Sequence, residues 1–229
     1  MLSELVFLWF IYEQLRKAQI VLFVCAITSI TILLNSSFFC MKNYIEKTVG
    51  KLDEQTFALL TAITVEISLQ KDEILLAQGQ FCKYLWFLKK GAIKAYEIVN
   101  GEIRNTHFFL EECFLTNYMS VLSKQPSELF FQATENCQLS QINYTQLVQL
   151  YTQSHQIEHI GRLMAEMQFV AEYNLRKLLL NMDALERYEY IEQHQPNIFN
   201  HFNLKDIASY LGITPVSLSR LRKYRSEKK

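Results

Sequence analysis

The sequence is poor in proline and glycine, with three and six among 229 residues, and none of its five cysteines belongs to a Cys-x-x-Cys pair. So little proline and glycine excludes collagen-like and proline-rich chains. Cysteines at 25, 40, 82, 113 and 137 are odd in number and widely spaced. That argues against a disulfide framework or a zinc site and fits a reducing compartment. No Ser/His/Asp set, metal-ligand spacing or GxxxxGK[ST] loop is present, so no enzymatic chemistry is read. Net charge is absent too, with 23 Lys+Arg against 23 Asp+Glu. Taken whole, this neutrality speaks against a nucleic-acid partner. What remains is 50% hydrophobic and 20% charged residues, the composition of a globular chain. Its length suits one large domain or two small ones.

Divided by segment, the charge is not neutral. Residues 41–202 hold 14 basic and 19 acidic residues, a net of −5, whereas residues 203–229 hold seven basic (Lys205, Arg220, Arg222, Lys223, Arg225, Lys228, Lys229) and two acidic, a net of +5. A basic C-terminus is what a phosphate-binding face requires, although a solvated charged tail has the same composition. The first forty residues carry only Glu4, Glu13, Arg16 and Lys17 around two apolar runs, Leu5 to Tyr12 and Ile20 to Leu34. Residues 20–39 make a marginal membrane span, against the roughly 20 apolar residues one needs. Arg16-Lys17 before the run resembles a signal anchor. A third reading makes 1–40 an upstream extension, with the working start at Met41. Membrane association through 20–39 therefore stays open beside a cytoplasmic location.

From Ile67 to about Tyr151, short apolar runs alternate with turn residues: Ile74–Ala77, Tyr84–Leu88, Ala92–Val99, Arg104–Leu110, Phe130–Thr134 and Gln138–Ile142. Asn100-Gly101 predicts a two-residue hairpin turn, because both positions tolerate positive φ. Regularly spaced short strands indicate a small antiparallel sandwich or jelly roll. Gly79 and Gly91 close strands at turns, and Glu73-Ile74-Leu75 through Gly91-Ala92-Ile93-Lys94 resembles the β-roll of the cyclic-nucleotide-binding superfamily over about 55–150.

Between Ile157 and Met182 the spacing predicts a long helix. Ile157, Ile160, Met164, Met167, Ala171, Asn174 and Leu178 recur at alternating steps of three and four, a heptad seam with one register-setting Asn. Leu163, Phe169, Val170 and Leu175 lie off it. The seam is read as the homodimer contact, with an intramolecular core face as the alternative.

Leu204 to Lys223 is the most informative stretch. Asn203 is an N-cap, Ile207 and Leu211 share a face, Ala208 suits a close helix crossing, and Gly212 ends the helix. Thr214 caps the next helix, Pro215 takes its first position, and Leu218 and Leu221 turn inward. This is the spacing of a helix-turn-helix, whose second helix enters the major groove. Thr214, Ser217, Ser219, Arg220, Arg222 and Lys223 are the candidate DNA contacts. Ser217 and Ser219 reach phosphates or base edges, and Arg220 bonds a phosphate or a guanine.

A β-roll, a long helix and a C-terminal winged helix-turn-helix, in that order, resemble the Crp/Fnr-type bacterial transcription regulators. Leu211-Gly-Ile-Thr-Pro-Val-Ser-Leu-Ser-Arg-Leu-Arg-Lys223 is especially similar to members from Bacteroidetes-like bacteria. The resemblance implies an α+β chain with an antiparallel β-roll (double-stranded β-helix or jelly roll), a long dimerisation helix and a winged helix-turn-helix. It divides as 1–40 extension, 41–152 sensor, 153–183 dimerisation helix and 184–229 DNA-binding domain. The implied partners are a pseudo-palindromic double-stranded DNA operator, a second copy of the chain, RNA polymerase and an unknown small-molecule effector. Departures matter as well. Pro215 and Val216 stand where the family carries an Arg-Glu pair that reads bases. In the effector pocket Asn117-Tyr118 replaces Gly-Glu and Ser127 replaces the phosphate-binding Arg, while Pro126 is kept. A hydroxyl does not substitute for a guanidinium on a buried phosphate, so no cyclic AMP binding is expected. Cys82, Cys113 and Cys137 stand singly, so no iron–sulfur cluster or other cofactor is expected, and a lone His107 is read as structural. The competing reading is a membrane-tethered module that binds a ligand or protein without binding DNA.

Overall fold

The computed structural model describes residues 38–227. The apolar run to residue 37, with its anchor and start-site readings, and Lys228 and Lys229 lie outside the described residues. Among the described residues no helix is long and apolar enough to cross a membrane.

The chain runs through α1, helical at 38–48, then α2 (Glu54–Ala62), β1 (Thr64–Leu69), β2 (Ile74–Leu76), β3 (Tyr84–Lys90), β4 (Ile93–Val99), β5 (Glu102–Phe109), β6 (Cys113–Leu115), α3 (Tyr118–Ser123), β7 (Phe130–Ala133) and β8 (Cys137–Asn143). Six helices follow: α4 (Tyr144–Tyr151), α5 (His155–Asn181), α6 (Ala184–His194), α7 (Ile198–His201), α8 (Leu204–Tyr210) and α9 (Pro215–Ser226). The strands form two four-stranded sheets in the orders β1-β8-β3-β6 and β2-β7-β4-β5, every pair antiparallel.

The expected strands lie in these sheets, and the two that the sequence did not betray are the six-residue β1 and the three-residue β6. Alternation explains β3. Trp86 and Leu88 face the space between the sheets with Phe131, Leu139 and Ile93. Phe87 points to the opposite face, against the rings of Tyr44 and Phe114. A strand buried on both faces is a central one. Asn100 and Gly101 turn the β4–β5 hairpin with φ of 54° and 82°, as a type I′ turn requires. A register shift at Ala95/Tyr96 leaves Thr106 outside the Cα pairing with β4, its hydroxyl donating to Ala95 O instead, so the hairpin is bulged between Asn105 and His107.

Polar caps start the helices. Asn143, Ser154, Asp183, Asn203 and Thr214 each accept backbone N–H bonds at the start of α4, α5, α6, α8 and α9. The long helix begins two residues before, and ends one before, the expected Ile157–Met182.

The helices after α5 do not bury a core by themselves. Tyr188, Ile191, Ile198, Phe202, Ile207, Leu211 and Leu218 pack together with Ala92, Phe108 and Leu110 from the second sheet. The ring of Phe108 stacks on Phe202 at 4.0 Å and lies 4.9 Å from Tyr210. The region expected as a separate domain from 184 onward thus shares its core with the β-roll, because its short helices expose too much apolar surface to be stable alone. All strands among the described residues precede α4, so the expected wing has no counterpart there.

Candidate nucleic-acid interface and sensor region

Local chemistry shapes α8 and α9 before packing does. Asn203 Oδ1 accepts the Asp206 amide at 2.8 Å. At the other end the amide of Gly212 donates to Ser209 O and that of Ile213 to Ala208 O, while Gly212 has φ of 67°. These two bonds are the Schellman arrangement, which a residue without Cβ adopts at least cost. Thr214 Oγ1 then accepts the Ser217 amide at 3.1 Å, and Pro215 opens α9. Leu218 is fully buried and Leu221 half-buried, which turns the far side of α9 outward.

That far side carries Val216, Ser219, Arg220 and Lys223, all exposed and within one face by helical spacing. Arg222 is exposed on a different flank, about 200° around the axis from Arg220 at 3.6 residues per turn. Thr214 is exposed at the helix start, and Ser217 is half-buried with its Oγ 2.9 Å from Thr214 Oγ1. Arg225, counted with the basic tail, is spent inside the chain: Nη1 lies 3.0 Å from Glu189 and Nη2 3.1 Å from Glu192, both on α6. The exposed positive charge of α9 is therefore smaller than its composition suggests.

A polar cluster fastens α8 to the β4–β5 hairpin. The Asp206 carboxylate receives Lys94 Nζ at 3.1 and 3.2 Å, Asn105 Nδ2 at 3.0 Å and Asn203 Nδ2 at 2.7 Å. Ser209 Oγ accepts the Asn105 amide and donates to Ile103 O, each at 3.0 Å. Asp206 is 7% exposed, and a carboxylate so buried is held by its partners. Sequence reading passed over this cluster, since its members lie about a hundred residues apart; only the Asn203-x-x-Asp206 cap was a local signal. Arg187 on α6 adds a second brace, donating from Nε to Met182 O at the end of α5 and from Nη1 to Leu211 O at the end of α8. A cation beside two helix C-termini is favourable. His107 Nε2 lies 2.8 Å from Glu172 Oε1 on α5, and this hydrogen bond holds the Glu172 carboxyl below its ordinary range.

The expected effector residues come together but turn toward one another. Asn117 and Ser127 are buried, at 7% and 2% exposure. Asn117 Nδ2 donates to Ser127 Oγ at 2.8 Å, and Asn117 Oδ1 caps α3 by accepting the Ser120 amide. Ser127 Oγ also donates to Leu129 O and accepts the Leu129 amide. A hydroxyl with one donor and two acceptor sites is then saturated. Tyr118 is half-buried, and burial, helped by Tyr144, pushes its hydroxyl up to about 12. None of the three carries positive charge.

The long helix turns its expected seam largely inward. Ile157, Ile160 and Leu178 are buried within their own chain and Met164 is half-buried, whereas Met167, Ala171 and Asn174 are exposed. Ile157, Ile160 and Leu178 thus pack on their own chain, the intramolecular alternative for those three positions. The exposed apolar residues of α5 are Met167, Phe169, Val170, Tyr173, Leu179 and Leu180, of which Phe169, Tyr173 and Leu180 lie on the face opposite the seam. The 3.5-residue period marked a face that is buried at both ends and exposed at Met167, Ala171 and Asn174.

Among the described residues no group of His, Cys, Asp and Glu is placed to hold a metal ion. Cys82 and Cys137 are buried free thiols, and burial pushes the Cys113 thiol up to about 12.

Residues 66–154 match the cyclic nucleotide-binding domain family. No curated protein matches the sequence. Solved structures with a similar fold include FixK2 from Bradyrhizobium japonicum, at a TM-score of 0.63 and 18% identity over 72% of this chain and 86% of that one. The c-di-GMP-responsive global regulator CLP of Xanthomonas campestris gives 0.58 and 14% over 77% and 93%. A Crp/Fnr-family transcriptional regulator from Eubacterium rectale gives 0.58 and 13% over 77% and 85%. Residues 66–154 are thus similar to the cyclic nucleotide-binding domain family, and the chain shares the mixed α/β fold of Crp/Fnr regulators, an antiparallel β-roll followed by C-terminal helices.

Proposed function

We propose that the protein is a homodimeric DNA-binding transcription regulator acting in the cytoplasm. The observation that carries this is the α8–α9 pair: a capped first helix, a Schellman turn, and a second helix whose outward face presents Ser219, Arg220 and Lys223. Such a face is built to enter a major groove, with Arg220 on a guanine or phosphate and Lys223 on phosphate. Thr214 and Ser217 cap the helix at the end that would meet the backbone, and Arg222 reaches phosphate from its flank. Two copies related by a two-fold axis would read half-sites of a pseudo-palindrome about one helical turn apart. Phe169, Tyr173 and Leu180 on the outer face of α5 supply the contact between copies. RNA polymerase is the implied further partner.

Cyclic AMP is not the signal. Asn117 and Ser127 spend their polar groups on each other and on the local backbone, and no guanidinium replaces the missing phosphate partner. Calorimetry with cyclic AMP should show no micromolar binding.

The test is a mobility shift with fragmented genomic DNA. Arg220→Ala with Lys223→Ala should abolish the specific shift, and Lys223→Ala alone should reduce the salt slope, log affinity against log salt, by about 0.9 for its one phosphate contact. Unchanged binding in the double variant would sink the assignment.

A further inference from the structure

A cavity of about 350 Å³ lies between the outer side of the first sheet, α1 and α5. That volume is at the lower end of the range, about 300 to 1,000 Å³, found for small-molecule pockets. Five aromatic residues contribute to its lining, Tyr44, Phe108, Phe109, Phe114 and Tyr118, with the Phe108 ring itself stacked on Phe202 and the Phe109 ring 5.7 Å from that of Phe131. Helix α5 contributes Met164, Met167, Gln168 and Ala171, three of which stand on the expected heptad seam. Their apolar character thus has a use within one chain. Methionine adapts its shape and packs well on aromatic faces.

The charge of the lining is one-sided. It includes no Lys or Arg, and its one carboxylate is that of Glu111, an exposed residue. An anion entering here would lose its hydration and gain no cation in return. A flat ring would meet Tyr44, Phe114 and Tyr118, and a donor or positive charge attached to it would meet the Glu111 carboxylate, whose Oε1 also accepts the Gly91 amide at 3.5 Å. This is the reverse of a cyclic-nucleotide site, which must neutralise a phosphate.

We infer that this cavity binds a small flat aromatic molecule that is neutral or cationic and carries no anionic group. Binding there would bear on α5: Gln168 Nε2 donates to Glu172 Oε1 at 2.7 Å, and Glu172 in turn holds His107 of the β4–β5 hairpin. A ligand against Gln168 therefore touches the helix that carries the outer apolar face and the hairpin that carries α8. The inference goes beyond DNA binding and does not depend on it, so the two fail separately.

The test is calorimetry on the full chain with three probes that share one ring system: tryptamine (cationic), indole (neutral) and indole-3-acetate (anionic). Tryptamine should bind at least tenfold more tightly than indole-3-acetate, with indole between them. Ala171→Trp fills the cavity from an exposed helix position and should abolish binding of all three, with Met167→Trp as a second filling variant if the first unfolds. Glu111→Gln should cancel the preference for tryptamine while leaving indole unchanged. No heat from tryptamine or indole at millimolar concentration, tighter binding of indole-3-acetate, or undiminished binding in a folded filled variant would each overturn the inference.

Discussion

Lys94→Met tests the join between the β-roll and the C-terminal helices. Lys94 on β4 and Asp206 on α8 are 112 residues apart in sequence, yet Nζ lies 3.1 Å from Oδ2, with side-chain exposures of 14% and 10%. At that distance, and an effective dielectric of about 20, the attraction is about 5 kcal/mol before desolvation is set against it. Removing one member of such a pair typically costs about 3–5 kcal/mol, because the other charge is left buried. Asp206 would keep the amide donors of Asn105 and Asn203, so the lower end, about 3 kcal/mol, is expected. For a chain of this size that corresponds to a melting temperature lower by about 6–12 °C. Hydrogen exchange should quicken in α8 and α9 and in the β4–β5 hairpin, and change little in β3 and β8. In a double-mutant cycle, Lys94→Met with Asp206→Ala should cost less than the sum of the single changes by more than about 1 kcal/mol. A melting temperature within about 2 °C of the parent, with additive single effects, would refute the account of Asp206 as the hub.

Phe169→Glu with Tyr173→Glu should convert a dimer into a monomer by sedimentation, whereas Leu178→Ala, inside its own chain, should cost about 2–5 kcal/mol of stability and leave the assembly state alone. At Gly91, φ is 100° and an added Cβ would lie 2.6 Å from Cys137 Sγ and 2.7 Å from Asn136 O. Gly91→Ala should therefore cost more than about 2 kcal/mol in urea unfolding, and Gly101→Ala, at positive φ but in open space, about 1 kcal/mol; equal costs would contradict the close approach at Gly91. Burial raises Tyr118, Tyr151, Tyr210 and Cys113 to about 12. The unfolded chain then releases these protons first, so stability should be intact below about pH 9 and fall as the pH rises toward 12. Urea midpoints at pH 8 and pH 11 should show that loss, and Tyr210→Phe should lessen it.

Much of the candidate interface was legible because its signals are local. Asn203, Gly212, Thr214 and Pro215 act within a few residues of themselves, through caps and a left-handed turn that need no tertiary partner. Asn100-Gly101 marked its hairpin for the same reason, and alternation marked the longer strands. β1 and β6 escaped notice, β6 because three residues are too few to show a period. The direction of the α5 faces was not legible either. A 3.5-residue period says that one face is apolar, and both a partner helix and the chain's own β-roll satisfy it.

By itself the sequence determined where α8 and α9 are capped and where the β4–β5 hairpin turns, the basic character of α9, and the absence of a cation from the effector positions Asn117, Tyr118 and Ser127. Those properties follow from short-range sterics, capping and residue chemistry. Only the tertiary structure decided which charges are available and which are spent. It turned Arg225 inward onto Glu189 and Glu192, left Arg220 exposed, set Lys223 at the surface 3.9 Å from Glu227, and brought Asp206 to Lys94 and Asn105 across a hundred residues. The overall neutrality of 23 against 23 says nothing of this, because a charge acts on a partner according to its distance and burial.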